Sequence, residues 1–250
     1  MQEILTRTYE ITASDVDCHG LCRLSALLGH MQNLATEHAI ILGIGGPRMM
    51  TEHNAVWLLA RTQLRLDRPI PYPGEVTIST WPRGITKSAT VFRDFDLFIG
   101  DERIGEATTS WVLADLVDRK VLKPTNVPAL VDSPRPAVVK DCIPQKIKAP
   151  ADMTQEMVRV VTYSDTDING HMNNTKYADV ACDAIRYDLC KGRFISEVQI
   201  NYLHECFPGD ELLVLCGEAE GVRYVRGTDA AGCVRFEVGL GLEGLECDSG

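Results

Sequence analysis

The sequence contains two copies of one pattern, and that duplication constrains the fold more than any other feature. "SDVDCHGLCRLSALLGHMQNLA", from Ser14, aligns with "SDTDINGHMNNTKYADVACDAI", from Ser164. Ser14, Asp15, Asp17 and Gly20 fall on Ser164, Asp165, Asp167 and Gly170 at a constant offset of 150. Each copy then runs into helical periodicity. Leu24, Leu27, Leu28 and Met31 form one apolar stripe; Tyr177, Val180, Ala181, Ala184 and Ile185 form the other. A second echo sets "IPYPGEVTIST", from Ile70, on "ECFPGDELLVL", from Glu205, at an offset of 135. The first copy therefore holds about fifteen more residues between its landmarks, and "GIGGPRMMTEHN" (43–54) is their natural place.

Strand patterns follow each Pro-Gly turn. Ala89, Val91, Phe95 and Leu97 alternate with Thr90, Asp94 and Asp96, which predicts a half-buried strand with the aspartates toward solvent. "IGDER" reads as a hairpin turn into "IGEATTSWVLADL". The second copy gives "ELLVLCGEAE", "VRYVRG", the turn "TDAAG" and "CVRFEVGLGL". Each copy thus holds a short strand, a polar turn, one long helix and several antiparallel strands. One helix across a sheet of that size predicts an α+β architecture, and two copies predict a pseudo-dimer within one chain. The halves are expected at 1–130 and 153–250, joined by a proline-rich extended linker over 131–152.

Composition excludes several classes. A hydrophobic content of 45% fits a soluble globular protein. No apolar run reaches the roughly 18 residues of a membrane span. "MQEILTRTYE" lacks the basic and apolar regions of a signal peptide, which predicts a cytoplasmic protein. Nine scattered cysteines, an odd number, read as reduced thiols. Cys18, His19 and Cys22 have no second ligand pair at zinc spacing, so neither metal nor cofactor is expected. A net charge of −10 disfavours nucleic acid as a partner.

The differences between the copies point to chemistry. What both share, including the aspartates and the glycine of the turn, is needed by both to fold. Where the second copy has Asn169, His171, Asn173 and Asn174, the first has His19, Leu21, Arg23 and Leu24. Glu205 and Cys206 fall on Ile70 and Pro71. Polar, titratable groups gathered at both landmarks of one copy predict one working site, with the other half as scaffold and pocket wall.

At these residues the sequence resembles the acyl-acyl-carrier-protein (acyl-ACP) thioesterases, double hot-dog enzymes that end fatty-acid synthesis. The likeness rests on "DTDINGHMNNTKYADV" and "INYLHECFPGDEL", and more weakly on "LLARTQLRLDRPIPYPGE" and "SWVLADLVDRKVLKP". It implies a tandem hot-dog fold and a site made of Asp167, Asn169, His171 and Glu205, with Cys206 beside it. It implies an acyl carrier protein bearing a fatty acyl group as partner; a homodimer is compatible with it.

Two routes are open. In one, Cys206 is a nucleophile activated by His171, which Asn169 orients. In the other, Glu205 activates a water, His171 and Asn169 position the substrate, and Asp167 orients the network. The second is favoured, because a thioester is already activated. The oxyanion would then meet backbone N–H groups at the helix start near Asn173 and Asn174. Acyl-CoA hydrolysis, a non-catalytic acyl-thioester sensor and an enoyl-thioester hydratase are the alternatives. Basic residues of "WPRGITK", with Arg93, and of "DRKVLK", with Lys123, are candidate carrier contacts. Met31, Met49, Met50 and Trp57 either shorten the acyl tunnel or fill core.

Overall fold

A computed structural model describes residues 4–83, 89–126, 142–185 and 191–245. The strands are β1 (Leu5–Ile11), β2 (Ala55–Leu66), β3 (Gly74–Pro82), β4 (Thr90–Ile99), β5 (Glu102–Asp115), β6 (Thr154–Val160), β7 (Arg193–Tyr202), β8 (Glu211–Ala219), β9 (Val222–Thr228) and β10 (Val234–Gly244). They form one antiparallel sheet in the order β1-β3-β4-β5-β2-β7-β10-β9-β8-β6. Read inward from either edge, the two halves follow the same order and meet at β2 and β7.

Three helices accompany the described sheet: α1 (Leu24–Ile41), α2 (Gly46–His53) and α3 (Lys176–Ala184). The stripe read from the sequence is the buried face of α1, extended by Leu34, Ala35 and His38. Each large apolar side chain so buried contributes about 1.5–3 kcal/mol. The α3 stripe is buried likewise, with Tyr177, Val180, Ala181 and Ala184 inside. One hydrophobic core contains both stripes, so the halves share an interior. The inserted stretch at 43–54 is α2, whose Met49 joins a separate small core with Leu42, Ile44, Ala55 and Leu113.

The two polar turns are built alike. Thr12 N–H donates to Asp15 Oδ2 at 2.9 Å, and Thr162 N–H to Asp165 Oδ2 at 2.8 Å. His19 N–H donates to Asp17 Oδ1 and Asn169 N–H to Asp167 Oδ1, both at 2.8 Å. Gly20 and Gly170 take φ of 74° and 78°, a region costly to other residues.

An equivalent hydrogen bond in each half corrects the alignment of the second landmark. Cys22 N–H donates to Ile70 O as Met172 N–H donates to Cys206 O, both at 2.8 Å. Ile70 is therefore the counterpart of Cys206, and Pro69 that of Glu205. The Pro-Gly dipeptides mislead because they do different jobs. Gly74 opens β3 opposite Ile11, whereas Gly209 stays in the turn at φ 92° and leaves that place to Asp210.

A second correction concerns Asp94. It is wholly buried, not solvated, because Arg83 Nε and Nη2 clamp its carboxylate at 2.6 and 2.9 Å and Thr108 donates at 2.7 Å. The linker expected over 131–152 lies outside the described residues up to 141. From 142 to 150 the chain has no regular structure, buries Cys142 and Ile147, and accepts a hydrogen bond from Gln199 at Gln145 O.

Candidate active site

The turn between β6 and α3 and the segment between β7 and β8 bring the singled-out residues together. His171 Nε2 lies 3.9 Å from Glu205 Oε1. On its other side His171 Nδ1 is 3.2 Å from Met172 O and 4.0 Å from Asp167 Oδ1. The Nδ1 contact to a carbonyl requires a proton there, which directs Nε2 toward Glu205. The Phe207 ring stands edge-on to the imidazole, with centroids 6.4 Å apart.

Asp167 ties this turn to the helix. Its Oδ1 accepts Asn169 N–H, and its Oδ2 accepts Asn173 Nδ2 at 3.3 Å. Asn169 is exposed, and its side chain makes no hydrogen bond to a described residue; the structure does not bring it to His171. Asn173 is fully engaged. Its N–H donates to Asp165 O, and its Oδ1 accepts from Thr175 N–H and Oγ1 at 2.9 and 2.8 Å. The N–H of Asn173 is therefore not available to an oxyanion. The N–H of Asn174 makes no hydrogen bond to a described residue, and Asn174 lines a cleft.

Cys206 sits behind this cluster. It is wholly buried, and its thiol lies 3.8 Å from His204 O. Burial pushes the thiol up; a hydrogen bond with Tyr177 and the charge of Arg235 only partly oppose that. No hydrogen bond joins it to His171.

One residue was missed. Arg119 Nη2 lies 3.7 Å from Glu205 Oε1, reaching the site from the first half. Asp115 builds the turn that presents it, accepting Val117 and Asp118 N–H at 2.8 Å each. The sequence marked "DRKVLK" only as basic; nothing in it placed Arg119 against Glu205. Lys120 and Lys123 beside it are exposed. The other basic candidates that the structure describes are not free surface charges. Arg83 is held by Asp94, Arg93 is buried, and residues 84–88 lie outside the described residues.

The cleft encloses about 30 Å³. The second half contributes Asn174, Thr175 and Tyr202; Leu28, Met31 and Ala35 of α1, with Phe95, Thr109 and Trp111, contribute from the first. Of the bulky residues named from the sequence, only Met31 lines it. Met49 is core, Met50 is exposed, and Trp57 donates its Nε1–H to Ile44 O.

Known proteins place these features in one group. Residues 2–128 match the family described as Acyl-ACP thioesterase N-terminal domain, and residues 148–230 match Acyl-ACP thioesterase C-terminal domain. The chain is 26% identical over 224 residues to a dodecanoyl-[acyl-carrier-protein] hydrolase of Cinnamomum camphora, covering 81% of this chain and 56% of that one. It spans about half the length of the curated relatives it matches. An acyl-ACP thioesterase structure from Bacteroides thetaiotaomicron superposes with a TM-score of 0.84 at 26% identity, over 96% of this chain and 98% of that one. The 12:0-ACP thioesterase of Umbellularia californica shares the fold at TM-score 0.83 and 22% identity, over 98% of each. With matches to both domains across most of its length, the chain belongs to the acyl-ACP thioesterase family.

Proposed function

We propose that this protein hydrolyses the thioester of a fatty acyl group carried on acyl carrier protein, releasing the free fatty acid. The carrying observation is Glu205 Oε1 within 3.9 Å of His171 Nε2, in the half whose helix start opens onto an apolar cleft. The mirrored strand order about β2 and β7 supports reading each half as a hot dog and the chain as a pseudo-dimer. The chain's relatives carry names of acyl-ACP hydrolases, which supports the carrier-bound substrate. Free thiols at every described cysteine fit a cytoplasmic location.

The chemistry follows from the geometry. A water set between Glu205 and His171 gives its proton to the carboxylate as its oxygen bonds the thioester carbon. The carbonyl electrons move onto oxygen, and that oxyanion takes the Asn174 N–H at the positive end of α3. Collapse breaks the C–S bond, and the thiol leaves with the proton that Glu205 accepted. Asp167 holds the turn against Asn173 so that His171 keeps its orientation, and Asn169 meets the thioester arm from the rim. Arg119 holds the Glu205 carboxylate from the opposite half. Cys206 has no part in this sequence.

The test is thiol release from acyl-ACP and acyl-CoA of graded chain length by the wild type, Glu205→Gln and His171→Ala. Release from the carrier protein, reduced by roughly 10²–10⁴-fold in Glu205→Gln, is the expected result. Release from CoA alone moves the enzyme to another substrate. Tight acyl binding without release by the wild type makes the protein a sensor and overturns the reading.

A further inference from the structure

Next to the cleft lined by Asn174 and Thr175, the interior between α1 and β4 changes character. Along α1 the cleft is walled by Leu28, Met31 and Ala35, and the next residue on that face is the wholly buried His38. On β4 it is walled by Phe95, and two residues back on the same sheet face stands Arg93, 6% exposed. Thr109, which lines the cleft, is the cross-strand partner of Arg93 and donates its Oγ1–H to the Arg93 carbonyl at 3.4 Å. Hydrocarbon therefore gives way to polar groups within about one helical turn, ~5 Å.

The charge of Asp94 supports the Arg93 guanidinium, but no ion pair joins the two. Arg93 Nη1 lies 3.1 Å from His38 Nδ1 and donates to Thr80 Oγ1 at 3.2 Å. The adjacent carboxylate, Asp94, points to the opposite face and is clamped by Arg83. No carboxylate of a described residue comes within ion-pair distance of Arg93. Burial pushes the guanidinium down to about 10, so it remains charged at neutral pH. A buried charge with no ion-pair partner among the described residues is costly, and a guanidinium whose Nη2 and Nε make no hydrogen bond to a described residue keeps a carboxylate-shaped fork of donors.

We propose that Arg93, with His38 and Thr80, is a binding site for the distal end of the acyl chain and selects chains that end in a carboxylate. This rests on the thioesterase reading for the position of the proximal end. The ω-carboxylate pairs with the Arg93 fork while the methylenes lie along Met31, Ala35 and Phe95. A methyl terminus of the same length would return nothing to the already buried guanidinium.

The experiment uses matched N-acetylcysteamine thioesters of graded length, ending in methyl or carboxylate, with wild type, Arg93→Met and Arg93→Lys. The wild type is expected to favour the carboxylate end in kcat/KM by roughly 10²-fold. Arg93→Met should reverse that preference, and Arg93→Lys should keep part of it. Calorimetric binding of free dicarboxylic and monocarboxylic acids separates the two readings. Arg93-dependent dicarboxylate binding without hydrolysis sinks the thioesterase reading and leaves this site standing. Equal or better use of methyl-ended chains, and equal binding of both acids, with ratios unchanged in Arg93→Met, overturns it. So does an Arg93→Met protein that only melts earlier while its preference stays put, since that makes Arg93 a strut.

Discussion

Removal of the Cys206 thiol separates the two routes to hydrolysis. An ordinary thiol near 9.0 is about 1% thiolate at pH 7, so forming the nucleophile there costs about 2.7 kcal/mol. Burial at Cys206 raises that cost, because its first effect is to disfavour the charged form. Tyr177 and Arg235 oppose it without reversing the direction. Cys206→Ala should therefore leave kcat/KM within about threefold of wild type, while deleting one buried sulfur lowers stability by about 1 kcal/mol. Steady-state thiol release measures the first and urea unfolding the second. Acid-quenched turnover followed by intact mass should show no acylated enzyme. A hundredfold loss in Cys206→Ala, with an acyl adduct on Cys206 in the wild type, would refute this reasoning.

Two further outcomes follow from the interior. Arg83→Ala strands the carboxylate of Asp94, which is 0% exposed, and should lower unfolding free energy by about 3–5 kcal/mol; Arg83→Leu combined with Asp94→Leu should recover much of that by urea titration. Asp165 answers to pH. Burial works to raise its carboxyl, but hydrogen bonds from Thr162 and Arg159 outweigh it and hold it below the usual value. Its stabilisation is thus complete above about pH 4 and lost as pH falls through the depressed value. Asp165→Asn should flatten that acid limb in melts at graded pH and cost about 1–2 kcal/mol at neutral pH.

The repeat made the fold legible. Aspartates at 15, 17, 165 and 167 and glycines at 20 and 170 encode local hydrogen bonds, which depend on near neighbours and so survive in the sequence. The helix stripes were legible for the same reason, since burial of Leu24, Leu27, Leu28 and Met31 repeats with the helical period. What failed depended on partners far along the chain. Asp94 looked solvated because its alternation is that of a half-buried strand; the partner that buries it, Arg83, lies across a hairpin. Arg119 was only a basic residue until a turn on Asp115 set it on Glu205. The Pro-Gly landmark slipped by one because identical dipeptides occupy a strand start in one half and a turn in the other.

The central seam sets how the two halves meet. The cleft takes hydrocarbon walls from α1, β4 and β5 of one half and Asn174, Thr175 and Tyr202 from the other. Glu205 belongs to the second half, yet the cation beside it, Arg119, belongs to the first. Neither half alone holds all the residues of the proposed site, so the proposed chemistry depends on their relative position. That position is set where β2 meets β7, in the pairing of Gln63 with Gln199, of Arg61 with Asn201 and of Arg65 with Glu197. Side chains alternate across a strand, so a shift of one residue there would send Thr62 and Ile200 to the wrong face and part Arg119 from Glu205.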